Sequence, residues 1–339
     1  MEMKKGDRIE QVMWLVEGKI VQGKNGPYWA GRFILDKEPI PAKIWQNRHL
    51  DDQARLLVPQ NPYSVKATAD EYNGVRQLII HEVKPFDGEF DKSALLPKGD
   101  SQKEELAEEF DTIIEAMRDD DYKNLLKTFK NSIFFSDFSI APAAKSIHHA
   151  WLSGLLEHSI GLARAIEALS SLYPELDKDL LTAGAFLHDS GKAKEISTDP
   201  GFEYTTDGKL FGHIYMGAKM TEDLIDGMES FPQEKKRAII HLILSHQGQR
   251  ADGFGSPVDP STAEAVFFHH IDNLDAKVRH CLTEIRKAEN GAGFITTPPP
   301  MKISLYMGDG SSKEPSMPGD DAKKLNRDPG FFQINGLEY

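Results

Sequence analysis

The sequence predicts a multi-domain chain, β then α: a small N-terminal β-barrel followed by an all-α domain. Three observations carry this. Short runs rich in aromatic and β-branched residues crowd positions 1–86. A polar, acidic stretch punctuated by Pro and Gly follows at 87–103. Beyond it the apolar period becomes helical. The expected organisation is a barrel at 1–86, a linker at 87–103, a helical domain at 104–295 and a loosely ordered tail at 296–339.

Taken in order, "QVMWLVEGKIVQ" (11–22), "YWAGRFIL" (28–35) and "PAKIW" (41–45) read as strands. Asn25-Gly26 and Asn73-Gly74 carry the strongest short hairpin signal, the second joining "YSVKATADEY" to "VRQLIIHEV". Trp14, Tyr28, Trp29, Phe33 and Trp45 offer stacking surfaces for single-stranded bases, or else fill a small barrel core. After the linker, "EELAEEFDTIIEAMRDDDYKNLLKTFKNSIFF" reads as one or two amphipathic helices. Further helices are expected over 149–170, 179–189, 213–228, 233–245 and 261–289, the last opening on a capping box from Ser261 to Glu264. The tail is rich in Pro, Gly, Ser and Asp, and its end, "GFFQINGLEY", is apolar enough to dock.

Of the 339 residues, 40% are hydrophobic and 27% charged, an ordinary soluble balance. No apolar run approaches the roughly 18 residues of a membrane span, and the start does not read as a secretory signal. The single cysteine, Cys281, has no internal disulfide partner, which fits a reducing cytoplasm; it reads as a packing residue. A net charge of −13 argues against non-specific coating of a polyanion. The acid excess lies beyond roughly the first hundred residues, so a nucleic-acid partner needs a local positive groove or metal ions.

The chain has 12 histidines, and their placement matters more than their number. At about 100° per residue, His158 falls within about 60° of Trp151, Leu155 and Leu162, on the buried side of its helix. His188 and Asp189 end the greasy run "LLTAGAFL", and an aspartate there is costly to bury unpaired. Asp272 and Asp275, three apart, share a helix face that Phe268 and Ile271 turn toward the core. A divalent cation would compensate these groups, and so would a charged hydrogen-bond network; spacing alone leaves both open.

An isolated His, an adjacent His-Asp followed by Gly-Lys, and a downstream Asp resemble the signature of the HD phosphohydrolase superfamily. In closer detail, "APAAKSIHHAWLSGLLEHS", "AGAFLHDSGKAKEI", "GHIYMGAKM", "LILSHQG", "GSPVDPSTAEAV" and "IDNLDAK", in this order behind a small barrel, are similar to the YhaM-type 3′–5′ exoribonucleases. The resemblance runs from about residue 6 to 287. It implies an OB-like nucleic-acid-binding barrel ahead of an all-α HD domain.

By position, the resemblance implies His158, His188, Asp189 and Asp272 as metal ligands. Asp189, Lys192, His213 and His246 are the implied catalytic residues, with Lys192 pairing to a phosphate oxygen. His148 or His149 is implied to contact substrate or protonate the leaving oxygen. Gln247 stands where the family usually shows a histidine; it still donates to phosphate but is a poor transition-metal ligand, which favours one metal over two. Trp14, Tyr28, Phe33 and Trp45 are the implied base-stacking residues. Asp275 is expected to be a reserve ligand or to orient a histidine, and Gly191 to be a left-handed helix C-cap. His241 and His269 read as structural, and His49 and His81 as barrel surface or packing.

The implied cofactor is Mn²⁺, with Mg²⁺, Co²⁺ and Fe²⁺ as alternatives. The implied partner is single-stranded nucleic acid, RNA preferred, with no membrane, in the cytoplasm. The implied reaction is 3′–5′ hydrolysis of single-stranded RNA, and of single-stranded DNA as a second substrate, to nucleoside monophosphates by metal-activated water. Two other readings stand beside it: an HD phosphohydrolase of mononucleotides or a signalling nucleotide, and a non-catalytic nucleic-acid-binding protein with a vestigial metal site.

Overall fold

β1 (Arg8–Gly23), β2 (Gly26–Leu35), β3 (Glu38–Ile44), β4 (Asn61–Tyr72) and β5 (Val75–Pro85) close an OB-like barrel in the order β1-β2-β3-β5-β4. The computed structural model describes residues 3–45, 54, 57–97, 99, 103–145, 151–253, 255–288, 293–297 and 301–308. β4 returns antiparallel to β1, and β3 runs parallel to β5 through Ala42–Leu78 and Lys43–Ile79. Alternation drives the closure: Tyr63, Val65, Ala67 and Ala69 of β4 all turn inward and are buried. They meet Leu15, Phe33, Ile44 and Leu78 in the barrel core. Asn73 and Gly74 both take positive φ, 52° and 76°, as a two-residue type I′ turn requires.

A bulge breaks the β1–β2 register between Leu15 and Glu17. Met13, Trp14, Leu15 and Val16 are all buried in succession, because both faces of β1 are covered here. Met13 and Leu15 face the barrel core, while Trp14 and Val16 join Ile34 and pack outward against Phe90 and Leu95. Within the expected linker, Phe90, Leu95 and Leu96 therefore pack against the folded chain. The stretch holds a 3₁₀ turn at Lys92–Leu95, and Leu96 is buried with Ile196 and Phe202 of the helical region. Its few apolar residues, hidden in a polar composition, make these contacts. Glu203 adds two ion pairs at 2.7 Å, to Arg32 of β2 and to Lys145.

The helices are α1 (Lys103–Ala116), α2 (Asp120–Lys130), α3 (Ile133–Phe138), α4 (Gly154–Ser170), α5 (Lys178–Leu187), α6 (Lys192–Glu195), α7 (Thr206–Asp226), α8 (Gln233–Ser245) and α9 (Ala263–Lys287). Three helices replace the one or two expected at the start, because Asp119 caps α2 by accepting the N–H groups of Asp121 and Tyr122. The cap of α9 also differs by one residue. Thr262, not Ser261, accepts the Ala265 N–H at 3.1 Å, and Glu264 instead accepts the Asp177 N–H at 3.3 Å. Phe110, Phe129, Phe138, Leu155, Phe186, Leu242 and Phe268 form one core among these helices. Every residue of α5 from Asp179 to Leu187 is buried.

Compactness divides the chain into Met1–Ala276 and Lys277–Tyr339, a cut that falls inside α9. In the second unit, β6 (Phe294–Thr296) pairs antiparallel with β7 (Ser304–Tyr306), across the point where a loose tail was expected to begin. The Thr297 hydroxyl accepts the Ile303 N–H at 2.8 Å and closes this hairpin. Among the described residues, no helix is long and apolar enough to cross a membrane.

Candidate metal centre

Five helices converge on one pocket. α4 carries His158; α5 ends at His188, with Asp189 next; α7 carries His213; α8 ends at His246; α9 supplies Asp272 and Asp275. α4 begins only at Gly154, so Trp151 lies outside it, beyond a left-handed Ser153 (φ 63°). The Trp151 indole N–H donates to Glu157 at 2.7 Å instead. Inside α7, Gly212 (φ 71°) interrupts the helix just before His213.

Four imidazole Nε2 atoms surround two carboxylates. Asp189 Oδ2 lies 3.2 Å from His188 Nε2, and Oδ1 lies 3.3 Å from His213 Nε2 and 3.5 Å from His246 Nε2. Asp272 Oδ1 lies 3.2 Å from His158 Nε2 and 3.8 Å from His188 Nε2. The other nitrogen of each ring is already engaged. His158 Nδ1 donates to Asp275 at 3.0 Å, and His188 Nδ1 to the Gly184 carbonyl at 3.1 Å. His213 Nδ1 donates to Glu195 at 3.1 Å, and His246 Nδ1 to the Ile243 carbonyl at 2.8 Å. These acceptors place a ring proton on each Nδ1, so a neutral ring turns its Nε2 lone pair toward the carboxylates, the place where a cation can replace the second proton of a charged one.

Lone pairs facing ionised carboxylates repel unless something positive lies between them. His188 Nε2 and Asp189 Oδ1 are buried with no hydrogen-bond partner among the described residues, a costly state for two polar atoms. The donor atoms form three overlapping sets, each within 4.8 Å: His158/His188/Asp189, His188/His246/Asp272, and Asp189/His213/His246. Neutral imidazoles and carboxylates at such spacing fit a divalent cation.

The charges agree. Burial alone would raise both aspartates, but Lys192 and His188 hold Asp189 well below the usual carboxylate range, and His158 and His188 hold Asp272 low. Burial lowers His188. Burial would lower His158 too, yet hydrogen bonds and charge from Asp272 and Asp275 outweigh it and raise this ring to about 9. A cation that ligates His158 must displace that proton, so affinity should fall about tenfold per pH unit below 9. Calorimetry at pH 7.5 in buffers of different ionisation enthalpy should show about one proton released per cation bound. No release would mean that His158 is neutral before binding.

Lys192 lies beside the pocket, its Nζ donating to Asp189 Oδ2 at 2.6 Å with the side chain 14% exposed. The Gln247 amide donates to His213 Nε2 at 3.2 Å. Gly191 is not a left-handed cap: its φ and ψ are −63° and −20°, and it stands at the N-cap position just before α6. A Cβ there would lie 2.0 Å from the His213 carbonyl oxygen, so its missing side chain serves the close approach of α7. His269 donates to the His246 carbonyl at 2.9 Å, and His241 accepts the Ser261 N–H at 2.9 Å. His81 lies 2.8 Å from the Thr68 hydroxyl on the barrel. His49, His148 and His149 lie outside the described residues.

The barrel aromatics divide. Phe33 is fully buried and Trp29 nearly so, both in the core, so neither offers a face to a base. Trp14 is buried too, stacked on Phe90 at 5.9 Å with its N–H on Gln60, because Phe90 and Leu95 cover the outer face of β1 there. Tyr28 and Trp45 remain accessible, their rings 5.1 Å apart, and Trp45 is 49% exposed. Sequence reading missed Lys43 and Tyr72, which complete this patch: Lys43 Nζ lies 6.0, 5.3 and 5.0 Å from the rings of Tyr28, Trp45 and Tyr72. It also missed Glu195, whose only local signal is an acid three residues beyond Lys192.

The family model described as HD domain matches residues 155–277. The chain is 31% identical over 285 residues to the 3′–5′ exoribonuclease YhaM of Bacillus subtilis, covering 80% of this chain and 86% of that protein. It is 33% identical over 292 residues to the protein of the same name from Oceanobacillus iheyensis, covering 84% and 89%. The protein of that name from Listeria welshimeri is 29% identical over 282 residues, covering 82% and 88%. A likeness that extends so far beyond the HD match, joined to the clustered His and Asp donors, makes the chain a member of the YhaM family, and hence a metal-dependent phosphohydrolase of the HD superfamily.

Proposed function

We propose that the chain is a 3′–5′ exoribonuclease that shortens single-stranded RNA, and single-stranded DNA as a second substrate, to nucleoside monophosphates. The observation that carries this reading is the ring of four imidazoles, each engaged at Nδ1, around ionised Asp189 and Asp272. The names of the similar proteins supply the polymer and the direction. His158, His188, Asp189 and Asp272 are the proposed ligands and Mn²⁺ the proposed metal; the mixed donor set also accepts Mg²⁺, Co²⁺ or Fe²⁺. Such a cation lowers the pKa of water and neutralises charge developing on phosphate oxygens.

The chain's own groups do the positioning. Lys192, kept charged by Asp189, is assigned to a phosphate oxygen, and His246 and Gln247 to the same phosphate. Asp275 and Glu195 hold the rings of His158 and His213 in place. Tyr28, Trp45 and Tyr72 around Lys43 are assigned to the strand, stacking on bases while the ammonium meets the backbone. The single cysteine fits the cytoplasm, where we place the protein.

Trp45→Ala should weaken binding of a single-stranded oligonucleotide by about 1–3 kcal/mol, the value of one stacked base. Fluorescence anisotropy measures this, and unchanged affinity would remove the patch from the binding surface. The activity itself is tested with 5′-labelled single-stranded RNA and Mn²⁺. A ladder shortening from the 3′ end supports the proposal. Phosphate release from free nucleotides without shortening would favour the mononucleotide reading, and bound RNA of unchanged length the non-catalytic one.

A further inference from the structure

We infer that the centre holds one tightly bound divalent cation per chain, and that Gln247 is the residue that keeps a second from settling between Asp189, His213 and His246. This rests on the metal-dependent reading above and adds the stoichiometry and its determinant.

The donor sets are not equivalent, although two of them share Asp189. In the pocket of His158, His188, Asp189 and Asp272, His188 Nε2 has no hydrogen-bond partner among the described residues. The neighbouring set differs at His213. Its Nδ1–H is committed to Glu195, and the same carboxylate accepts the His213 backbone N–H at 3.1 Å, so ring and main chain are pinned together. The lone pair left to His213 is on Nε2, and the Gln247 amide nitrogen sits 3.2 Å from it. An amide nitrogen offers only protons, so Gln247 donates to the very lone pair that a cation would use. Turning the carboxamide over sets its oxygen against that lone pair, which Glu195 prevents His213 from exchanging for an N–H.

With His213 taken, the second set keeps His246 and one carboxylate oxygen of Asp189. Two donors, one of them on a residue shared with the first cation, make a weak site for a transition metal. A histidine at 247 would remove the competing proton donor and add a donor nitrogen.

The full-length chain, stripped with chelator and titrated with Mn²⁺, gives the count by calorimetry and the coupling by electron paramagnetic resonance. One Mn²⁺ per wild-type chain with the six-line signal of an isolated ion, and two with an exchange-broadened signal in Gln247→His, is the expected result. Two coupled ions in the wild type would overturn the inference. A count of one in both proteins would overturn the assignment to Gln247. No binding by the wild type would instead defeat the metal-dependent reading itself.

Discussion

Asp189→Asn should abolish the proposed nuclease activity, with a fall of about a thousandfold or more in kcat/KM. The substitution keeps the shape of the side chain and removes its charge. Asp189 is the carboxylate nearest to the Nε2 atoms of His188, His213 and His246, and it also holds Lys192. An asparagine cannot offset a divalent cation, and it leaves the lysine ammonium without its partner in a largely buried place. A Lewis-acid contribution of several kcal/mol, at about 1.4 kcal/mol per tenfold, amounts to roughly that thousandfold. Calorimetric loss of Mn²⁺ binding alongside loss of the RNA ladder is the expected pair of results. Circular dichroism separates this from unfolding. A variant active within tenfold of wild type would remove Asp189 from the chemistry.

Gly191→Ala should be among the most destabilising single-methyl additions in the helical region. Its Cβ would lie 2.0 Å from the His213 carbonyl oxygen, 2.7 Å from the Gly217 backbone nitrogen and 2.9 Å from the His213 carbonyl carbon. All three are backbone atoms, so no rotamer relieves the clash and α7 must move away. Overpacking of this kind costs about 3 kcal/mol or more, and at roughly 2–4 °C per kcal/mol the melting temperature should fall by about 10 °C. Because His213 rides on the displaced segment, activity should fall as well. Gly227→Ala is the control: its φ of −81° suits alanine, and the nearest atoms to its Cβ lie 3.5 Å away, so it should be nearly neutral. Equal melting temperatures for the two variants would show that α6 and α7 are not in firm contact.

What could be read from sequence was whatever depends on near neighbours in the chain. His188 and Asp189 stood out because they are adjacent at the end of an apolar run, and Asp272 and Asp275 because their spacing places them on one face. The pairing of Glu195 with His213 depends on how closely α6 meets α7, which no local pattern encodes. The barrel aromatics failed for a related reason. Trp14 alternates outward as its place in β1 dictates, but Phe90 and Leu95 cover that outer face, a long-range contact that no local pattern shows. Phe90, Leu95 and Leu96 were too few to outweigh the polar composition of 87–103, yet they pack against the folded chain. The β6–β7 hairpin escaped notice because three-residue strands are too short to show a period.

Because each ring is held by Nδ1 before any ion arrives, the rotamer entropy of the ligands is already spent during folding. Little of the affinity is then lost to ordering side chains, and the interaction between ion and site passes into the thermal stability of the chain. At one hundred times its dissociation constant, a cation that binds only the folded state adds about 2.7 kcal/mol. A chelator should therefore lower the unfolding temperature, and titrating the metal back should raise it progressively. The melting curve becomes a gauge of free metal that needs no RNA at all.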